Sequence, residues 1–324
     1  MSRSLIARAA GLLTAGLVVA GLAGCVTAPP TPAAAPSSAA ASPAAPAAPV
    51  VCNNATQSYA KVTSSPYADV IAKRGYLLVG VSADTRQLGA VDPSNPDVFA
   101  GFDIEIARLV ANKLGVNLRF KVITTADRIA QLKKEVSAGG VDLVARAFTM
   151  NCARWKDISF SQVYFLAHQG LMVPASSTLA KLAGQPDKVK QALSGETVCA
   201  PKGSTSLDNI TTWAPGVKTR AVANHTDCLV LLQQGQVDAI TGDDAILAGF
   251  KAQDPTTLVL PGIELSDEPY GLGVNATHKD FAAYVNGVLE EARTSGAWQK
   301  AYDTYLKGPL GKPGVQPAPS YGRA

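Results

Sequence analysis

Residues 141–164 read VDLVARAFTMNCARWKDISFSQVY. A short apolar run, 141–145, breaks into Thr149-Met150-Asn151, then Arg154, then a second apolar segment carrying Phe160, Ser161 and Tyr164. A hydroxyl and a guanidinium thus stand five residues apart, just past an expected buried strand. Arginine presents a planar fork of donors that fits a carboxylate at two points, and the Thr149 hydroxyl can donate beside it. This layout suits a carboxylate held at the mouth of an α/β sheet.

The flanking sequence alternates in the same way. Strands are expected at 76–81, 118–123 and 141–145, and helices after Asp103 and over 127–137. Asp103 is expected to cap the first helix. Its apolar positions Ile106, Leu109, Val110 and Leu114 follow helical spacing, and Gly115 can end it. Past 171–174 the alternation resumes. Strands are expected at 197–200, 217–222, 239–241 and 270–274, with helices from 203, over 227–234 and over 243–252. A helix over 279–295 gathers Phe281, Val285, Val288, Leu289 and Ala292 on one face, and a last helix carries Trp298, Tyr302 and Tyr305. Short connections between β and α elements imply mainly parallel sheets with covering helices, in an α/β chain of two lobes.

Gly101-Phe102-Asp103, Asp127-Arg128-Ile129, Val141-Asp142, Gly203-Ser204-Thr205 and the run 232–239 before Gly242-Asp243-Asp244 occur in this order across about 71–306. Together with 141–164 they resemble the family 3 solute-binding proteins of polar amino-acid ABC transporters. The glutamate/aspartate-binding and glutamine-binding members are the most alike. The resemblance implies a two-lobed type II periplasmic-binding-protein fold. It places lobe 1 at 67–173 with 270–307, lobe 2 at 174–269, and a disordered tail at 308–324. It implies a monomer that closes on a free amino acid and presents it to an ABC importer permease, with no cofactor and no metal. A membrane sensor feeding a serine/threonine kinase pathway is the alternative partner. The fold also occurs in cyclohexadienyl dehydratases. Such an enzyme needs a positioned general acid, and this cleft is rich in arginine rather than in paired carboxylates.

The first residues read as a secretory signal, 1–24, with Arg3 and Arg8 before an apolar stretch too short to span a membrane comfortably. It ends Leu22-Ala23-Gly24-Cys25, which looks like a bacterial lipobox and implies cleavage before Cys25 and lipidation of its thiol. The mature chain is then lipid-anchored on the outer face of the cytoplasmic membrane. Residues 25–66 form an Ala/Pro-rich tether with little to bury. Loss of Arg3 and Arg8 takes the formal charge of +4 to +2, which gives no electrostatic reason to bind nucleic acid. Of the five cysteines, Cys52, Cys152, Cys199 and Cys228 remain for disulfides in an exported protein. Of the three pairings, Cys52–Cys152 with Cys199–Cys228 is favoured because each bridge then stays inside one lobe.

A free amino acid carries a carboxylate and an ammonium, and stripping both of water costs several kcal/mol per ion unless each is paired. The resemblance gives Arg154 and Thr149, with Ala147 in the same lining, to the α-carboxylate. Ser204 and Thr205 join them from a helix N-terminus. Asp243 takes the α-ammonium, with Asp244 as the neighbouring alternative; helix capping is the ordinary use of an aspartate there. Arg128, Arg146, Arg86 and His225 are the candidates for the ligand's side chain. So many cations leave a surplus of positive charge that Asp84, Asp127 or Asp227 can offset. A positive cleft favours glutamate or aspartate over glutamine or asparagine.

Overall fold

The computed structural model describes residues 55–323. The signal segment, Cys25, most of the tether and Cys52 lie outside the described residues. Among those described, nine strands form one curled sheet. In its first half Asn117–Val122, Tyr76–Val81 and Leu143–Val144 run parallel. In its second half Lys218–Val222, Thr197–Pro201 and Ala239–Asp243 do the same. An antiparallel pair joins the halves: the 17-residue strand Ile158–Pro174 against Ser266–Asn275. The long strand is the apolar segment that follows Arg154, and both halves hang on it.

The covering helices follow from their apolar spacing. Phe102–Leu114 buries Phe102, Ile104, Ile106, Ala107, Val110 and Ala111, and Gly115 ends it in the left-handed region. Lys279–Thr294 buries all five residues expected on its inner face. In Ala297–Tyr305 the Trp298 indole donates to Tyr164 O at 2.8 Å, and the Trp298 and Tyr302 rings meet Phe102 edge-on. The chain therefore returns to the first half of the sheet. The Cys199–Cys228 disulfide ties the strand Thr197–Pro201 to the helix His225–Gln233. Cys152 is also disulfide-bonded, while the expected bridge to Cys52 ends outside the described residues.

Several expectations change. Asp103 does not cap its helix. Gly101 holds that position with φ 135°, and a Cβ there would meet Leu88 O at 2.3 Å. Asp103 is instead buried one turn in, where it accepts from Ala147 N and Tyr164 Oη. The helix over 127–137 divides into Arg128–Leu132 and a short 3-10 turn, Val136–Ala138, because the chain doubles back against Lys134 O at Gly140. The segment 308–324 is ordered, not disordered. Arg293 donates to Gln316 O and Pro317 O, Tyr302 Oη donates to Lys312 O, and Tyr321–Arg323 pairs with Ser58–Tyr59. That pairing also orders the end of the tether, since Ser58 and Tyr59 are buried.

Candidate functional site

The end of the strand Leu143–Val144 and the turn after it build the floor. Ala147 is the only non-glycine among the described residues with positive φ, 42°, a conformation that a neighbouring hydrogen bond must hold. Asp103 supplies it by accepting from Ala147 N at 2.8 Å. The kink points the Arg146 and Ala147 carbonyls at Arg128 Nη1, at 3.2 and 2.8 Å. Asn151 caps the four-residue helix Cys152–Trp155, on which Arg154 sits. The Arg128 and Arg154 guanidinium groups stack on Phe148 at 4.4 and 5.0 Å from the ring centre, each a favourable cation–π contact. Both also donate to Gly203 O, across the cleft. Arg146 donates to Ile123 O and Thr125 Oγ1, and reaches Asn224 Oδ1 at 3.5 Å.

All three arginines are buried, and every hydrogen bond they make goes to a neutral oxygen. Burial lowers Arg146 to about 10, against the opposing pull of Asp84, Asp103 and Asp127. Burial lowers Arg154 to about 10 as well, opposed by Glu268, Asp243 and Asp208. Arg128 falls well below its ordinary value through burial and then through repulsion by Arg154 and Arg146. None of the three is at a wet rim. Of the candidate counter-ions, Asp84 faces Arg146, and Asp227 is taken up by the capping box of His225–Gln233.

Thr149 and Thr205 approach from opposite sides of the cleft, with their hydroxyl oxygens 3.4 Å apart. Ser204 is the cap of the helix Thr205–Trp213. Its hydroxyl accepts from Leu207 N and donates to Pro201 O, so it is committed to the turn. Asp243 occupies a cap position yet makes no side-chain cap. Its carboxyl accepts from the Tyr270 hydroxyl and lies 3.5 Å from Ser206 Oγ. Burial, then Glu268, pushes Asp243 up to about 8. His225 is buried, with Nδ1 unpartnered among the described residues. Burial and then Arg146 lower it to about 3, so the imidazole is neutral. Arg86 is exposed and lies beside Gly249, away from the buried cluster. Asp244 Oδ1 accepts from His168 N outside that cluster.

The sequence reading did not find Glu268 or Tyr270. Both lie on Ser266–Asn275, which begins four residues before the expected strand. Glu268 is buried and accepts from Thr149, Thr205, Asn209 and Ser266. An acid followed by proline is ordinary loop sequence; only the convergence of these donors marks it. Among the described residues, no cluster of His, Cys, Asp and Glu suits a metal ion.

Two half-sheets joined by an antiparallel pair, with charged and hydroxyl groups gathered between them, are the architecture of type II periplasmic binding proteins. A crystal structure of a mutant ArgBP from T. maritima overlays it with a TM-score of 0.66 at 30% identity, covering 74% of this chain and 99% of that one. Residues 77–308 match the bacterial extracellular solute-binding proteins, family 3, and the chain belongs to that family. The glutamine-binding protein GlnH of Bacillus subtilis is 32% identical over 234 residues, 71% of this chain and 81% of its own. The glutamate-binding protein GluB of Corynebacterium glutamicum is 27% identical over 236 residues, 70% and 77% respectively.

Proposed function

We propose that this chain binds a free acidic amino acid, L-glutamate or L-aspartate, between its two lobes and presents it to an ABC importer. In this reading lobe 1 is 67–173 with 270–307 and lobe 2 is 174–269. The chain is exported and anchored through a lipid on Cys25. Kinship supports an amino acid as the ligand, since relatives are named for glutamine and for glutamate. It leaves the side chain open.

The observation that carries the acidic choice is Arg128. Asp84 offsets Arg146, and Glu268 offsets Arg154. Arg128 has two arginines for neighbours and only main-chain carbonyls as hydrogen-bond partners. A buried cation so placed is stabilised by an incoming anion. The α-carboxylate goes to Arg154, Thr149 and Thr205, and the α-ammonium to Asp243. A side-chain carboxylate then meets Arg128, with the free Nδ1 of His225 and the donors of Arg146 nearby. Binding needs no bond making. The ligand bridges the two half-sites and shifts the population toward the closed form. Calorimetry with L-glutamate, L-aspartate, L-glutamine and L-asparagine tests the choice. An acidic amino acid is expected to bind tightest; glutamine in first place overturns the side-chain assignment.

A further inference from the structure

Glu268 has no place in the ligand assignment above, yet it sits on two of the groups assigned to the ligand. Its Oε2 accepts from the Thr149 hydroxyl at 2.7 Å and from the Thr205 hydroxyl at 2.6 Å. It also provides the largest charge offset to the burial of Arg154. Its Oε1 is held separately, by Ser266 Oγ at 2.6 Å and Asn209 Nδ2 at 3.1 Å. We propose that Glu268 is an affinity- and specificity-setting residue: its Oε2 stands in for an oxygen of the ligand's α-carboxylate, and binding exchanges one carboxylate for the other. This inference rests on the functional reading above.

The argument is one of donor supply. A threonine hydroxyl carries a single proton, so each can donate one full hydrogen bond. Oε2 and a ligand oxygen therefore compete for the same two protons. Oε1 keeps its two donors on its own strand and on the helix Thr205–Trp213, so the side chain stays anchored when Oε2 lets go. The charge at Arg154 is conserved through the exchange, because one carboxylate replaces another. A ligand whose carboxylate is masked as an amide brings no anion to Arg154 and leaves Glu268 in place. The exchange thus selects for a free carboxylate at the cost of part of the affinity.

Calorimetry with whichever amino acid binds the wild type tightest tests this, since all free amino acids share the α-carboxylate. Glu268→Gln removes the competing charge. Glu268→Asp keeps the charge but draws it back from both hydroxyls. Each is expected to bind the amino acid tighter by roughly threefold to tenfold, the net weight of a hydrogen bond exchanged with water. Unchanged or weaker binding in both overturns the exchange. A crystal structure of the wild type with its amino acid needs no variant to fold. It should show a ligand oxygen between Thr149 and Thr205 with Oε2 displaced, and Oε2 still bonded to both overturns the proposal. A wild type that binds no amino acid refutes the functional reading itself, whereas binding without tightening refutes only the exchange.

Discussion

Arg154 and Arg128 stack on the same phenylalanine ring and share one carbonyl, but they should fail differently. Arg154 serves the end of the ligand that every amino acid has. Arg154→Ala should weaken glutamate and glutamine alike, by about 2–4 kcal/mol, the usual cost of removing one partner from a buried charge pair. Arg128 serves the end that differs. Arg128→Met should cost glutamate a similar amount and glutamine several-fold less, so the ratio of the two affinities, measured by calorimetry, collapses toward unity. An unchanged ratio contradicts the role given to Arg128. Asp243 carries a second test. Burial keeps its carboxyl neutral up to about 8, whereas a ligand ammonium beside it favours the ionised form. Binding at pH 7 should then release a proton, and affinity should rise with pH until about 8. Calorimetry in two buffers of different ionisation enthalpy reads that proton directly; none released at pH 7 contradicts the pairing. Linkage gives the sign for stability: a carboxyl raised from 3.8 to about 8 contributes fully below pH 4, and its contribution fades as pH climbs through 8. His225, lowered to about 3, adds no titration in this window. The arginines, Thr149, Thr205 and Asp243 were legible in the sequence because a helix start or a strand end marks each of them. Glu268 was not, because its burial depends on Asn209 and Thr149, residues far away in the chain.

Elements were legible where one periodicity ran their whole length, as in Lys279–Thr294, and less so where the order comes from single contacts. The C-terminal segment is rich in proline and glycine and has no repeating apolar face. It is nonetheless pinned by unlike contacts. Gln316 Nε2 donates to Leu289 O, Arg323 lies 3.7 Å from the centre of the Trp155 ring, and Gly314 packs so close to Tyr302 that a Cβ would sit 2.4 Å from the ring. Trp155 follows Arg154 on the short helix, so the strap buttresses the helix that aims the guanidinium. Deleting 313–324 should lower the melting temperature by several degrees, as loss of about 1–2 kcal/mol does in a chain of this size, and weaken ligand binding. A deletion variant that melts and binds like the full chain removes the strap from the account. The Cys199–Cys228 bridge is the parallel case in the second half, since it holds the helix that begins with His225. Replacing both cysteines with alanine should cost about 2–4 kcal/mol in denaturant unfolding, because a loop of 29 residues is opened.

At the scale of the whole molecule, the two halves meet through few contacts, and these are of one kind. Asp84, on the first side, accepts from Thr226 N and the Thr226 hydroxyl at the start of the helix His225–Gln233. Arg128 and Arg154 reach Gly203 O, and Thr149 meets Thr205. All are polar groups that water would satisfy if the halves parted, so each adds only the small net value of a hydrogen bond. The backbone between the halves allows such movement. The central strand pair is irregular at Tyr270/Gly271 and again at Gly271/Gly273, and bulges of this sort bend a sheet. A clamshell whose halves are held by a few exchangeable bonds has a small gap between its open and closed forms, and differential binding of a ligand can then move the balance. Thr226→Val tests this without touching a group assigned to the ligand. Losing one donor to Asp84 should weaken amino-acid binding by roughly threefold to tenfold, because the bond is made only on closure. Small-angle scattering should show a larger radius of gyration for the variant without ligand and the same radius as the wild type at saturation. A variant that binds as tightly as the wild type, with an identical scattering curve in both states, would mean that the Asp84–Thr226 contact contributes nothing to closing the cleft.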